Sequence, residues 1–98
     1  MSLNALEPKD PDDHIKYSVN WTRRMTELGD TIASSSWPVI DDGITLDDHT
    51  FTSTTTTAWF SGGTAGNVYR ATNRIVTVGD GTHTLTLDRT IEIRVLDR

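Results

Sequence analysis

Hydrophobic and polar residues alternate over the first periodic stretch of the chain, which begins at Ile15. The odd positions hold Ile15, Tyr17, Val19 and Trp21, and the even positions between them are polar. Successive side chains of an extended strand point to opposite faces of the sheet. The period of two therefore predicts a half-buried β-strand.

The same alternation returns twice in the last third of the chain. Residues 67–78 predict a long strand with one face formed by Tyr69, Ala71, Asn73 and Ile75. Gly79-Asp80-Gly81 then predicts a hairpin loop, because glycine accepts the positive φ that tight turns need. The closing strand has the most regular alternation of all, with apolar positions at Leu85, Leu87, Ile91, Ile93 and Val95.

The segment that follows the first strand, residues 23–38, is less regular. Residues 23–28 are the only stretch that favours a helical turn, and Gly29-Asp30 closes it. Residues 31–37 predict a strand that Pro38 ends. Ile32 and Trp37 have opposite parity, so a bulge or bend is required if both are buried.

Turn signals divide the middle of the chain. Asp41-Asp42-Gly43 predicts one turn and Asp47-Asp48 another, with a short strand at 44–46 between them and Phe51 as the anchor of the following strand. Trp59 and Phe60 are neighbours and cannot both enter one core. If Phe60 faces the core, Trp59 lies on the outer face; reversed parity is the alternative.

About seven short strands separated by turns predict an all-β, antiparallel sandwich of the immunoglobulin-like or fibronectin type III-like kind. Gly66-Asn67-Val68-Tyr69 resembles the start of the penultimate strand of such domains, where a tyrosine hydroxyl bonds back to the backbone as a tyrosine corner. The chain has no cysteine, which excludes the antibody-type disulfide. We expect residues 1–14 to form an extended acidic arm and residues 15–98 to form the sandwich.

The net charge of −5 argues against a nucleic-acid partner bound through phosphates. Residues 1–65 carry four basic against ten acidic residues, whereas residues 66–98 carry five arginines against four acids. This asymmetry suggests head-to-tail packing between copies. No apolar run approaches a membrane span and no signal pattern opens the chain, so we expect a soluble protein made in the cytoplasm.

No residue grouping predicts catalysis, a cofactor or a metal. His14, His49 and His83 are isolated, and the glycines at 62–66 lack the residues of a phosphate loop. A calcium site is a minor alternative, in which Asp10, Asp12 and Asp13 meet Asp41, Asp42 or Asp80.

A narrower resemblance covers most of the chain. Its residues are Lys9–Asp13, Tyr17–Trp21, Gly29–Trp37 and Thr54–Gly66, continued by the strand that holds Tyr69. These segments look like small immunoglobulin-like proteins encoded among the virion genes of tailed bacteriophages, of the tail-fibre or tail adaptor type. The resemblance implies a non-enzymatic structural role in the phage tail, with other virion proteins as partners, a possible homo-oligomer, and no nucleic-acid or membrane partner.

Six residues are the candidates for protein–protein contact. Trp59 is chosen because an outward tryptophan is a frequent hot spot at interfaces. The others are the acids of the arm, Asp10, Asp12 and Asp13, and the outward arginines of the long strand, Arg70 and Arg74. The alternative function is a carbohydrate-binding module that uses Trp21, Trp37 and Trp59, although the pattern directs Trp21 and Trp37 into the core.

Overall fold

The computed structural model describes residues 15–95, and the predicted arm at 1–14 lies outside this range. Six strands and one short helix follow one another along the chain. Their bounds are β1 Ile15–Asn20, α1 Thr22–Leu28, β2 Ile32–Ile40, β3 Ile44–Phe51, β4 Thr55–Gly62, β5 Val68–Thr77 and β6 Thr86–Arg94. The helix has seven residues, and no helix in the described range is long and apolar enough to cross a membrane.

The strands form two antiparallel sheets of three strands each. The first sheet has the order β1-β4-β3 and the second the order β2-β5-β6, so β4 and β5 are the central strands. The inward faces of both sheets contribute to one hydrophobic cluster. Across the gap the rings of Trp37 on β2 and Phe60 on β4 meet edge to face, with centroids 5.5 Å apart. The all-β sandwich predicted from the alternation is thus confirmed, with six strands in the described range.

The period-two runs identify the core correctly. Tyr17 and Val19 on β1 are fully buried, and Trp21, just past the end of the strand, is 3% exposed. On β5 every second residue from Tyr69 to Thr77 is buried, while the intervening residues face outward. Ile91, Ile93 and Val95 are buried as predicted, but Leu85 lies in the hairpin loop and is 44% exposed.

Strand β2 contains the predicted bulge and corrects one prediction. The register against β5 shifts between Ile32 and Ser34, and both Ile32 and Trp37 are buried. The expectation that Pro38 ends the strand is wrong, because β2 continues to Ile40. A second register shift between Ser36 and Val39 contains Pro38, and β2 is an edge strand. A proline without an N–H is tolerated at such an irregular edge position.

Strand β3 corrects two further predictions. Asp47-Asp48 does not form a turn, since β3 runs unbroken from Ile44 to Phe51 and the register against β4 shifts between Leu46 and Asp48. The two aspartates therefore lie at a β-bulge, where one strand has an extra residue. The bulge accommodates this polar pair within the strand, so no turn is needed. Phe51 is the last residue of β3 and is 43% exposed, so it does not anchor a core strand.

The predicted helical turn at 23–28 is a short helix that closes on Gly29. Gly29 takes the left-handed conformation at φ 64°, and the amides of Gly29 and Asp30 donate to the carbonyls of Thr26 and Met25. This arrangement satisfies carbonyl groups that the helix leaves free. Met25 is the buried residue of the helix and packs on the common core.

The tyrosine corner is present at Tyr69. Its hydroxyl oxygen accepts a hydrogen bond of 2.8 Å from the backbone N–H of Thr64, five residues upstream. The side-chain amide of Asn67 donates to the same oxygen at 3.4 Å. These two donors, with Asn67 the larger influence, lower the pKa of the Tyr69 phenol below its ordinary value. The bonds fix the loop between β4 and β5 against the strand that follows it.

Candidate docking surfaces

Trp59 lies on the outer face of the first sheet, as the parity of Phe60 predicts. Ala58 and Phe60 are fully buried, and Trp59 between them is half-buried. It occupies the central strand β4, opposite Lys16 on β1 and Asp48 on β3. Because two flanking strands support it, the indole is held on a firm surface and not at a loop tip. It is a large apolar group in a neighbourhood of threonine, serine and charged residues.

The outer face of β5 and β6, which holds the candidates Arg70 and Arg74, is a ladder of cross-strand polar pairs. Arg70 approaches Glu92 at 3.3 Å. Arg74 binds Asp88 through two parallel contacts of 2.9 and 3.0 Å. Both ion pairs follow from the antiparallel register, which sets Arg70 opposite Glu92 and Arg74 opposite Asp88.

Electrostatics at this ladder match its geometry. Hydrogen bonding by Arg74 lowers the pKa of the Asp88 carboxyl, and Asp88 in turn raises the pKa of the Arg74 guanidinium. Each arginine charge is balanced by its carboxylate partner on β6. Positive and negative side chains therefore lie side by side on this face, and Arg70 and Arg74 contribute little surplus positive charge.

Unbalanced positive charge is found instead in a cleft beside α1, which the sequence analysis did not identify. We call it the arginine cleft. Its volume is about 650 Å³, and its lining residues are Asn20, Thr22, Arg23, Arg24, Glu27 and Arg89. Glu27 lies 3.8 Å from Arg23, one helical turn away. Within residues 15–95, the Arg24 side chain makes no hydrogen bond or ion pair, which leaves its guanidinium available.

Arg89 reaches the cleft because a buried network fixes the surface on which it rests. The guanidinium carbon of Arg89 stands 4.7 Å above the ring centroid of Trp21, and Nη1 is 3.5 Å from the carbonyl oxygen of Asn20. Stacking of a guanidinium on an indole is favourable because the ring face is electron-rich. The indole is itself held by Asn73, to which its Nε1 donates at 3.0 Å.

Sequence reasoning missed this cleft because its members are far apart in the chain. Arg23 and Arg24 stand in the short helix, whereas Arg89 is an outlier in the apolar phase of β6, at a position where the alternation expects a buried residue. That one break in the pattern was the available signal. At Arg89 the inward side of β6 lies beside the helix α1.

The remaining predicted sites are not brought together within the described residues. Asp41 caps the start of β5, where its carboxylate accepts the Arg70 amide at 2.8 Å. Asp80 lies in the hairpin beyond the other end of β5, so Asp41 and Asp80 cannot share one calcium ion, and a meeting of either with the acids at 10–13 falls outside the described residues. No group of three or more potential metal ligands occurs in residues 15–95. Asp10, Asp12 and Asp13 lie outside the described residues.

Two of the three tryptophans are unavailable to a ligand. Trp21 is 3% exposed and Trp37 is 7% exposed, as their places in the alternation predicted. A carbohydrate platform built from all three indoles is therefore absent from this surface. Trp59 is the tryptophan that a partner can contact.

A family model described as "Podophage GP4 fiber-tail adaptor protein gp77" matches residues 9–94. The chain belongs to this family. No curated protein and no solved structure matches it. The match covers both sheets and also Lys9 to Asp13, the segment that begins the narrower resemblance. The resemblance to tail adaptor proteins is confirmed.

Membership in the fiber-tail adaptor family assigns a structural role in the tail of a bacteriophage and places the protein in the virion. An adaptor works through contacts with other tail proteins. The family therefore directs attention to the surfaces described above, namely the Trp59 face, the ladder of β5 and β6, and the arginine cleft.

Proposed function

We propose that this protein acts without catalysis as a docking module between tail fibre and tail, and that the Trp59 face makes the principal contact. The observation that carries the proposal is the half-buried indole at the centre of a supported sheet face, in a chain of the adaptor family. Tryptophan on such a surface contributes a large apolar area while its rigid ring loses little conformational entropy.

The neighbours of Trp59 favour a protein partner. Lys16 and Asp48 flank the indole with opposite charges, and Ser18 and Thr57 form a hydrogen bond of 3.2 Å on the same face. An apolar centre with a polar rim is the usual anatomy of a protein interface. The rim charges would set orientation and the indole would supply most of the affinity. In this proposal the protein is synthesised in the host cytoplasm and joins the particle during assembly.

The test is incorporation into virions. Phage that lack the gene would be complemented with wild-type protein, Trp59→Ala, Trp59→Phe or Thr57→Ala, and purified particles would be assayed for the protein by quantitative mass spectrometry. We expect Trp59→Ala to reduce incorporation more than about tenfold, which corresponds to at least about 1.4 kcal/mol of lost binding free energy. Trp59→Phe should retain much of it, and Thr57→Ala, which removes one rim hydroxyl from the same face, should lose far less than Trp59→Ala.

Two results would contradict the proposal at different levels. If the wild-type protein is absent from purified particles, the assigned role in the tail is wrong. If Trp59→Ala is incorporated as well as wild type, the role stands but the Trp59 face is not the contact. Thermal unfolding of the purified variants, followed by circular dichroism, separates lost docking from lost folding.

A further inference from the structure

We infer that the arginine cleft of one copy receives the acidic segment at residues 10–13 of a second copy, so that the adaptor joins itself head to tail. This second contact deepens the proposed function and rests on it, because it concerns how copies of the adaptor join one another in the tail. Its site is separate from the Trp59 face, so the two contacts can fail independently.

The charged residues that line the cleft favour the binding of carboxylates. Three arginines line it against a single acid, Glu27, in a protein whose overall charge is −5. A guanidinium presents a planar fork of N–H donors that matches a carboxylate. Arg23, Arg24 and Arg89 are all exposed, which leaves their donors accessible to another molecule.

Part of the cleft is preorganised. Arg89 is stacked on Trp21 at 4.7 Å, and Trp21 is held in turn by the buried amide of Asn73. A side chain that is already ordered loses less entropy when it binds. Arg24 adds a further guanidinium charge, and its side chain has no partner in the described part of the chain.

The chain itself carries the complementary segment. Asp10, Asp12 and Asp13 place three carboxylates within four residues, directly before the described range begins. Pro11 between them restricts its own φ and the conformation of Asp10. Three carboxylates in so short a segment match three guanidinium groups in one cleft.

Covalent length favours the cleft of a second copy over that of the same copy. β1 runs from Ile15 to Asn20, five steps of about 3.3 Å, so the lining residue Asn20 stands about 17 Å from Ile15. Asp13 and Asp12 are two and three residues before Ile15 and extend at most about 7 and 11 Å from it, whereas Asp10, five residues before Ile15, extends at most about 18 Å. Asp12 and Asp13 thus fall short of their own cleft, so the three carboxylates can act together only in the cleft of a second copy.

Such a contact joins two different surfaces of the same chain. A heterologous contact of this kind closes into a ring when its rotation permits and otherwise extends into a filament. In this inference each copy supplies both a donor segment and a receptor cleft.

Charge reversal tests the inference. The arm variant carries Asp10→Lys, Asp12→Lys and Asp13→Lys, and the cleft variant carries Arg23→Glu and Arg24→Glu. Sedimentation velocity of the full chain, in low and high salt up to millimolar protein, would report self-association. We expect wild type to associate in low salt and to dissociate in high salt, and each variant alone to associate at least about tenfold more weakly.

The decisive measurement is the equimolar mixture of the two variants. The arm variant has a basic segment and a basic cleft, whereas the cleft variant has an acidic segment and an acidic cleft. Each can therefore dock only on the other, and the mixture should recover association in alternating order. Failure of the mixture to associate would overturn the inference, as would a wild-type protein that remains monomeric under all these conditions.

A matched control separates the cleft from the ladder of β5 and β6. Arg70→Glu with Arg94→Glu makes the same change in net charge as the cleft variant, on the outer face of the second sheet. We expect it to associate as wild type does. If this control dissociates while the cleft variant does not, the contact lies on the ladder and the inference is wrong. Loss of virion incorporation by Trp59→Ala with self-association intact would leave this inference standing.

Discussion

Trp21 donates its indole N–H to the side-chain oxygen of Asn73 over 3.0 Å, and both residues are buried. The same oxygen accepts the hydroxyl of Thr56 at 2.7 Å, from the opposite sheet. The Asn73 amide nitrogen donates to Ser35 Oγ and to the Ser36 carbonyl, each at 3.0 Å. The Asn73 side-chain amide therefore links the two sheets and also holds Trp21, the residue over which Arg89 lies.

Replacing Asn73 with leucine should destabilise the fold by about 2–4 kcal/mol, because buried donors that lose their partner keep the cost of desolvation. Urea unfolding monitored by tryptophan fluorescence measures the change. Thr72→Val, one residue away and facing outward, removes the 2.8 Å contact between the hydroxyls of Thr72 and Thr90 and should cost less than about 1 kcal/mol. Equal losses for the two variants would show that the buried network is not a principal source of stability.

Gly43 should not tolerate alanine. It has φ 108°, and a Cβ there would stand 2.7 Å from Cε1 of Tyr69, the residue of the tyrosine corner. Gly66 is a matched control, because its φ is 91° but a Cβ would meet nothing within 4 Å. Both variants incur backbone strain, but only Gly43→Ala adds overpacking of about 1–3 kcal/mol. Thermal unfolding should therefore place Gly43→Ala clearly below Gly66→Ala, and equal midpoints would contradict the close contact.

Acid should destabilise the protein through Asp30. Its carboxylate accepts the amides of Thr31 at 2.8 Å and Gly79 at 3.0 Å, and these bonds lower its pKa below the ordinary 3.8. A lowered folded-state pKa stabilises the fold above the unfolded value, and this contribution is lost as the pH falls through the folded value. The loss should therefore begin near pH 4 and continue below it.

Asp30→Asn keeps an oxygen in place but removes the charge. We expect this variant to be less stable than wild type at neutral pH and to approach it as the pH falls below 4, in thermal unfolding at each pH. Part of the acid sensitivity should remain in this variant. The amides of His83 and Thr82 lower the pKa of Asp80, and Arg74 lowers the pKa of Asp88. Parallel curves for wild type and Asp30→Asn would contradict the linkage.

The two adjacent aromatics of β4 should respond very differently to truncation. Phe60 is fully buried and contacts both Tyr17 and Trp37 edge to face, so Phe60→Ala should cost about 3–5 kcal/mol. Trp59 is half-buried on the outer face, and Trp59→Ala should leave the free energy of unfolding much nearer to wild type. Urea unfolding of both variants gives the comparison. A larger loss for Trp59→Ala would place this indole in the core after all.

Much of the fold follows from the sequence because one face of each sheet is buried. The parity of Ala58, Trp59 and Phe60 predicted which aromatic faces outward, and the opposite parity of Ile32 and Trp37 predicted the bulge in β2. Period-two patterns carry this information directly, since a shift by one residue moves every side chain to the other face.

The errors lie where local chemistry and strand pairing disagree. Pro38 and Asp47-Asp48 resemble stop signals, yet each falls at a register shift next to a paired strand. Pairing with β5 and β4 outweighs the local preference at these positions. The arginine cleft escaped prediction for a different reason: Arg89 meets Arg23 and Arg24 only through tertiary packing, and no local pattern encodes that meeting.

The strand order also has a consequence for how quickly the chain reaches its native state. β3–β4 and β5–β6 pair through connecting loops, at 52–54 and 78–85, whereas β1 pairs with β4 and β2 with β5 across long stretches of sequence. Local hairpins close at a smaller entropic cost than distant pairs. The two hairpins are therefore the natural starting structures, and β1 and β2 must add to them later. Because the second sheet needs both the β5–β6 hairpin and the distant strand β2, folding on the order of milliseconds to seconds is typical of such topology.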